Sequence, residues 1–169
     1  MSAGVVLDTS FLITLAGADR AHHAAARSYW KHFSETGTPI YLPTIVASEF
    51  CVRQEIPPEI LRSCVVLPFN WDDAMKAASL DLRSLRQEGQ SRVALKDDLK
   101  IIAQAIVKDA AYLITDDNDT FFRYAAGLRT TDQSTFKPIK LKDGFDRAHF
   151  RPNGQRDFED ALNESEQEN

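Results

Sequence analysis

The chain has 169 residues, of which 43% are apolar and 27% charged, so it is long enough for one domain with a sizeable core and cramped for two. No apolar run approaches the roughly 20 residues of a membrane helix, and the start shows no secretory signal pattern, so we expect a cytoplasmic protein outside the membrane. The last 13 residues hold six acids and no basic residue; without them the net charge of −5 becomes +1, so overall charge neither supports nor excludes a nucleic-acid ligand.

The first half of the chain alternates short apolar runs with helical patterns. Gly4 to Leu7 is apolar throughout, as expected for a strand covered on both faces, and Thr9-Ser10 offers a cap for a helix. Pro43 is typical of a first helical position. The signals predict a strand at 4–7, a helix from 9, a helix at about 21–35, a strand at 40–42 and a helix from 43 to about 54.

The second half continues this alternation. It predicts an extended segment at 64–69, a helix from 72 to about 89, a helix at about 95–108, a strand at 111–115, a short helix near 120–126, and weak strands near 128–131 and 138–141. Strands alternating with helices imply parallel pairing with right-handed crossovers. The expected fold class is therefore α/β, with three α/β/α layers and a short, mainly parallel central sheet flanked by helices.

The composition changes near Lys142, after which polar and acidic residues dominate. We expect a domain at residues 1–141 and an acidic tail at 142–169 that is either disordered or docked onto the domain. The apolar residues available for docking are Phe145, Phe150, Phe158 and Leu162.

Acidic residues follow two of the predicted strands directly. Asp8 comes after the first strand, and Asp117 belongs to the acidic cluster at 116–119 after the strand at 111–115. Ligands of an open parallel sheet bind beyond the carboxyl ends of its strands, so we expect both acids at one edge. Each acid taken alone is explained equally well as a helix cap or turn residue.

Helical geometry separates the neighbours Asp97 and Asp98. At about 100° per residue, Asp98 falls within the apolar stripe of the helix at 95–108. Asp97 falls on the opposite, polar face. That face also carries Lys100, Gln104 and Lys108. Asp98 is therefore expected to point inward, where an unpaired charge is costly.

The same calculation places Glu49 on a core-facing stripe with Val52 and Ile56. A buried salt bridge, for instance to Arg53 or Arg92, explains one such acid. The apolar faces show no matching set of basic residues for all four acids, which are Asp8, Glu49, Asp98 and Asp117. Because crowded carboxylates repel and resist ionising, the set predicts a site for a divalent cation.

Four segments carry these acids in a characteristic order. They are Val6–Leu12, Ser48-Glu49, Asp98–Ala105 and Tyr112–Asp119. Together they resemble the PIN-domain nucleases, and especially the VapC-like toxin ribonucleases of prokaryotic toxin–antitoxin pairs, over about residues 4 to 132.

The resemblance implies roles for individual residues. The catalytic acids would be Asp8, Glu49, Asp98 and Asp117. The metal ligands would be Asp8, Asp98, Asp117 and the auxiliary Asp119. The supporting hydroxyls would be Ser10 and Thr115. The helix face selects Asp98 over Asp97, whereas only alignment with the family pattern selects Asp117 over Asp116.

The resemblance also implies an activity and partners. The expected reaction is hydrolysis of RNA phosphodiester bonds with one or two Mg²⁺ or Mn²⁺ ions, by a homodimer inhibited by a small antitoxin protein. A PIN-like nuclease acting on DNA, or in RNA processing outside a toxin system, fits the same acids. A catalytically silent PIN-like binding module is the third alternative, and the intact set of acids counts against it.

Other residues are candidates for contacts with a nucleic acid. Basic candidates for backbone contacts are Arg53, Arg86, Arg92, Lys96 and Lys100. The aromatic stretch with Tyr29, Trp30 and Phe33 is a candidate for base stacking, although it fits a core or a dimer interface better.

Overall fold

A parallel sheet forms the centre of the protein. The structure is a computed structural model that describes residues 4–80, 92–130 and 134–151. Its strands are β1 (Val5–Leu7), β2 (Ile40–Pro43), β3 (Val65–Leu67), β4 (Tyr112–Thr115) and β5 (Lys137–Lys140). They lie in the order β3-β2-β1-β4-β5, and every neighbouring pair is parallel. The chain builds outward from β1 in one direction and then in the other, so the topological switch point lies between β1 and β4.

Helices cover both faces of this sheet. Among the described residues they are α1 (Thr9–Ala16), α2 (His23–Glu35), α3 (Thr44–Cys51), α4 (Pro58–Ser63), α5 (Trp71–Ser79), α6 (Arg92–Val107) and α7 (Phe121–Thr130), followed by 3-10 turns at Leu141–Asp143 and Arg147–Phe150. The predicted α/β class with three layers is confirmed.

Alternation along the central strand divides the core into two clusters. Val6 of β1 packs in the cluster that includes buried residues of α3, α6 and α7. Val5 and Leu7 pack in the opposite cluster, with Tyr29 and Phe33 of α2. All three β1 residues are fully buried, which explains why this strand is apolar without alternation.

Two helix predictions in the first half are corrected by the structure. α3 ends at Cys51 rather than near Gln54, and Val52 beyond it is 82% exposed. α4 was not predicted, because Pro57-Pro58 indicated only the end of a helix. Pro58 instead occupies the first turn of α4, where the missing N–H of proline costs no hydrogen bond.

The helix predicted from 72 to about 89 is shorter in the structure. α5 ends at Ser79, and residues 81–91 lie outside the described residues.

Two further predictions in the second half are also wrong. The weak strand near 128–131 is helical as far as Thr130, because α7 extends through it. Gln104 does not lie on a polar face: its side chain is 2% exposed and donates to the carbonyls of Leu67 and Pro68, both at 3.2 Å. A buried amide is tolerated where backbone carbonyls accept its protons.

The start of the predicted acidic tail docks onto α2. The Tyr29 hydroxyl donates to the carbonyl of Gly144 at 3.0 Å and accepts from the N–H of Asp146 at 3.3 Å. Phe145 meets the Tyr29 ring edge-on at 4.9 Å between centroids, and Phe150 stacks on His32 at 4.2 Å. The other predicted docking residues, Phe158 and Leu162, lie outside the described residues.

None of the helices in the described part of the chain is long and apolar enough to cross a membrane.

Candidate active site

Asp8 lies at the carboxyl end of β1 and is only 4% exposed. Its N–H still donates to the Ile114 carbonyl of β4 at 3.1 Å, while its side chain caps α1 by accepting from the N–H of Ser10. The helix-cap interpretation is therefore correct, and it does not exclude a site, because the same carboxylate faces the end of β4. Burial raises the pKa of Asp8, and hydrogen bonds from Ser10 and Thr115 oppose that rise.

Two hydroxyl groups join Asp8 to the loop after β4. The hydroxyls of Ser10 and Thr115 both donate to Asp8 Oδ2, at 2.5 and 2.8 Å. Ser10 Oγ also accepts from the N–H groups of Asp116 and Asp117, at 2.8 and 3.1 Å. Residues about a hundred positions apart in sequence are thus held at one point, and the structure brings both predicted supporting hydroxyls to Asp8.

Asp98 reaches this point from α6, where it is partly buried. Its pKa is raised from 3.8 to about 8, first by burial and then by the negative charges of Asp8, Asp117, Glu49 and Asp97. Its neighbour Asp97 forms an ion pair with Lys100 at 2.7 Å. The helix-face distinction between the two acids therefore agrees with their surroundings in the structure.

Asp117 and Asp116 have different partners. Asp117 Oδ1 accepts from the N–H groups of Asp119 and Thr120, both at 3.0 Å, and its Oδ2 accepts from the Thr120 hydroxyl. Burial raises the pKa of Asp117, but the hydrogen bonds from Thr120 and from backbone N–H groups outweigh it and hold the pKa below its ordinary value. Asp117 thus remains ionised while Asp98 resists ionisation.

Asp116 faces away, towards α1 and the start of α2. Its Oδ1 lies 2.5 Å from His22 Nδ1, and its Oδ2 accepts from the buried Thr14 hydroxyl at 2.6 Å. Both carboxylate oxygens therefore have partners outside the group of acids. No sequence signal indicated the His22 contact, since the two residues are far apart in the chain and nothing local distinguishes Asp116 from Asp117.

Glu49 does not lie on a core-facing stripe as predicted. It is exposed on α3, whereas Val46 and Phe50 are the buried residues of that helix. The prediction failed because it extended the helical phase through Val52 and Ile56, beyond the end of α3. The carboxylate of Glu49 accepts a hydrogen bond from the Thr9 hydroxyl, which places it at the exposed rim of the group, beside the residue that follows Asp8.

Asp119 is exposed. Its N–H donates to Asp117, so its backbone shapes the loop that holds the fourth acid. Tyr29 and Phe33 are fully buried, so the core interpretation of the aromatic stretch holds and stacking on bases is excluded for these two rings. Arg86 and the side chain of Arg92 lie outside the described residues.

The donor set suits a hard divalent cation. Asp8, Glu49, Asp98 and Asp117 supply oxygen atoms only, and none of the four pairs with a Lys, Arg or His among residues 4–80, 92–130 and 134–151. Within the same residues, no three acidic, histidine or cysteine side chains stand close enough to share one ion. Burial and then the charges of neighbouring acids raise the pKa of Asp98, and a bound divalent cation would relieve this penalty.

Comparisons with known proteins agree with this geometry. The sequence model of the PIN domain matches residues 5–127. No curated protein matches the chain. The VapBC2 structure from Rickettsia felis, bound to a DNA fragment from its promoter, has a similar fold, with a TM-score of 0.52 and 15% identity over 80% of this chain and 97% of that one. VapC20 from Mycobacterium tuberculosis, described as a sarcin-ricin loop cleaving toxin, gives a TM-score of 0.50 and 18% identity over 73% of this chain and 95% of that one.

Proposed function

Since this chain belongs to the PIN domain family, we propose that it is a divalent-metal-dependent ribonuclease and the toxin of a toxin–antitoxin pair. One observation carries the proposal of a metal-dependent nuclease. At the carboxyl edge of the sheet, burial and then the negative charges of Asp8, Asp117 and Glu49 raise the pKa of Asp98. None of these four acids is neutralised by a cationic side chain of the described residues.

The cation would be held by Asp8, Asp98 and Asp117, with Glu49 and Asp119 contributing from the exposed rim. When bound, Mg²⁺ or Mn²⁺ lowers the pKa of water and neutralises charge that develops on the scissile phosphate. No covalent nucleophile is required for this hydrolysis.

Other residues of the chain orient the proposed ligands and control their ionisation. Ser10 and Thr115 hold Asp8 Oδ2 in one orientation, which fixes the ligand geometry. Asp98, whose pKa is raised to about 8 by burial and by neighbouring acids, would give up a proton on binding a cation. Asp117 stays ionised because Thr120 and backbone N–H groups donate to it.

The fold comparison supports the toxin role. This chain spans nearly the whole length of the two similar structures, 97% and 95%, and VapC20 is described as cleaving the sarcin-ricin loop. We propose RNA as the substrate on that basis, together with a small antitoxin that covers the acidic site.

Exposed apolar side chains favour the proposed homodimer. Val65 and Val66 on the edge strand β3 are 49% and 45% exposed, and Trp71 at the start of α5 is 76% exposed. Large apolar side chains left exposed on a sheet edge and on the helix that follows it are compatible with an interface with another protein.

The test is cleavage of RNA by the purified protein in Mg²⁺, in EDTA and in Mg²⁺ after Asp98→Asn. We expect cleavage in the first condition only, while the matched variant Asp97→Asn keeps its activity because Asp97 pairs with Lys100. Activity that survives both EDTA and Asp98→Asn would contradict the mechanism. Single-stranded DNA of the same sequence serves as the substrate control, and cleavage of DNA alone would contradict the RNA assignment.

A further inference from the structure

A groove runs along the exposed side of the candidate active site. It lies between α1 and the end of α3 and has a volume of about 530 Å³. Its lining includes Thr9 and Glu49 of the candidate site together with Arg20 and Arg53. Because Glu49 belongs both to the groove and to the group of acids, the groove leads directly to the proposed cation site.

The two arginines carry charges that no acid of the described residues neutralises. Both side chains are exposed, and neither forms an ion pair within residues 4–80, 92–130 and 134–151. Glu49 also lines the groove, but it accepts its hydrogen bond from Thr9 and forms no ion pair with either arginine. Two guanidinium groups beside a cluster of carboxylates therefore present positive charge where the cluster would otherwise repel a polyanion.

Hydrogen bonds position the backbone at both arginines. The N–H of Arg20 donates to the Gly17 carbonyl at 3.1 Å, and that of Arg53 donates to the Phe50 carbonyl at 3.2 Å. Gly17 also leaves room for the Arg20 side chain: a Cβ at residue 17 would lie 2.9 Å from Arg20 Cγ. The contact of His22 with Asp116 ties the far end of the same loop to the end of β4.

We propose that this groove, the α1–α3 groove, receives the phosphate backbone of the single-stranded substrate next to the scissile bond. Arg20 and Arg53 contact two phosphates through charge-assisted, bidentate hydrogen bonds. The exposed Val52 beside them contacts a sugar or a base. Both arginines position the strand and take no part in bond cleavage, and the inference rests on the nuclease function proposed above.

Phosphate chemistry fits this groove better than a neutral ligand does. Phosphate contacts set the register of a strand without reading its sequence, and guanidinium groups match the two oxygens of a phosphate. Arg20 was not among the basic candidates from the sequence, because an arginine in a loop between helices carries no local signal. Arg53 was a candidate, and it lines the same groove as Arg20.

The experiment measures binding separately from cleavage. A short fluorescent single-stranded RNA is titrated with Asp98→Asn protein, which is expected not to cut it, and with the same protein carrying Arg20→Gln and Arg53→Gln. We expect the double replacement to weaken binding about 10-fold or more near 0.1 M salt, and to reduce the slope of log K against log salt by roughly 0.7 for each phosphate that is no longer bound. In proteins with Asp98 intact, the arginine replacements should raise KM and leave kcat nearly unchanged.

The matched control is Arg27→Gln, an exposed arginine of α2 that lines a different cleft. It removes the same charge, so an equal loss of RNA binding in this variant would show a general charge effect and overturn the proposal. Thermal unfolding verifies that each variant is folded.

The remaining outcomes separate the two proposals. If the wild type cleaves RNA but the double replacement binds RNA with unchanged affinity and salt slope, the groove inference is wrong and the nuclease function stands. If the double replacement loses binding of poly-glutamate but not of RNA, the groove receives an acidic peptide instead. If the wild type neither binds nor cleaves RNA, the proposed function fails and the inference falls with it.

Discussion

Replacing Asp98 with Asn is expected to abolish cleavage and, in the absence of divalent cations, to stabilise the fold. The two effects have one cause. The pKa of Asp98 is raised from 3.8 to about 8 by burial and by neighbouring acids, so the folded protein resists an ionisation that the unfolded chain undergoes freely. Asn has a similar shape and no charge, so it removes this penalty.

The size of the effect follows from linkage. Between pH 3.8 and about 8 the unfolded carboxyl is ionised while the folded one keeps its proton, so wild-type stability falls as pH rises through this window. A shift of about four units at about 1.4 kcal/mol each sets an upper limit of roughly 6 kcal/mol. Because Asp98 is partly exposed and its titration is coupled to that of nearby acids, we expect on the order of 2 kcal/mol at pH 8 and less at pH 5.

The assay is urea unfolding in EDTA at pH 5 and pH 8, followed by circular dichroism. The Asp98→Asn variant should be more stable than the wild type, by a margin that widens with pH. Added Mg²⁺ should make the wild type more stable than the Asp98→Asn variant, because a cation that binds only the folded wild type stabilises it by mass action. Asp97→Asn removes an ion pair with Lys100 and should change stability by less than about 1 kcal/mol. An Asp98→Asn protein less stable than the wild type in EDTA at pH 8, or a margin independent of pH, would refute the reasoning.

Three further predictions follow from the hydrogen bonds. Thr115→Val removes a donor to Asp8, so we expect a roughly 10- to 100-fold loss of activity in RNA cleavage assays; an unchanged rate would show that the hydroxyl is dispensable. Asp117→Asn should abolish cleavage, whereas Asp116→Asn should keep metal-dependent activity and lose about 1 kcal/mol of stability with its hydrogen bonds, and equal losses of activity would leave the fourth acid unassigned. Tyr29→Phe removes both hydrogen bonds to the segment after β5, so we expect about 1 kcal/mol less stability and faster proteolytic removal of the tail; proteolysis at the wild-type rate would be the contrary result.

The sequence predicted those features that local periodicity determines. The apolar run at Val5–Leu7 is a strand buried on both faces, and Asp98 was distinguished from Asp97 because α6 is one unbroken helix. The position of Asp8 followed from parallel topology, in which strands end at a common edge. Each of these inferences needed only the geometry of a single element and the direction of its neighbours.

The predictions that failed depended on where a helix ends or on contacts with distant segments. Glu49 was misplaced because a helical phase has meaning only while the helix continues, and α3 ends at Cys51. Gln104 was misplaced because a polar side chain can be buried when carbonyls of another segment accept its protons. The partners of Asp116 depend on how the loop after β4 meets α1 and α2. No pattern within the loop carries that information.

The Ser10 hydroxyl has a consequence for how the cation would be bound. It donates to Asp8 and accepts from the N–H groups of Asp116 and Asp117. The fold alone therefore sets the position of Asp8 relative to Asp117. Glu49 of α3 is tied to this edge only through the Thr9 hydroxyl, and among the described residues Asp98 of α6 has no hydrogen bond to the strands. The fold therefore preorganises the acids at the strand ends, and we expect the ordering on cation binding to be concentrated in α3 and α6, where hydrogen exchange would slow most.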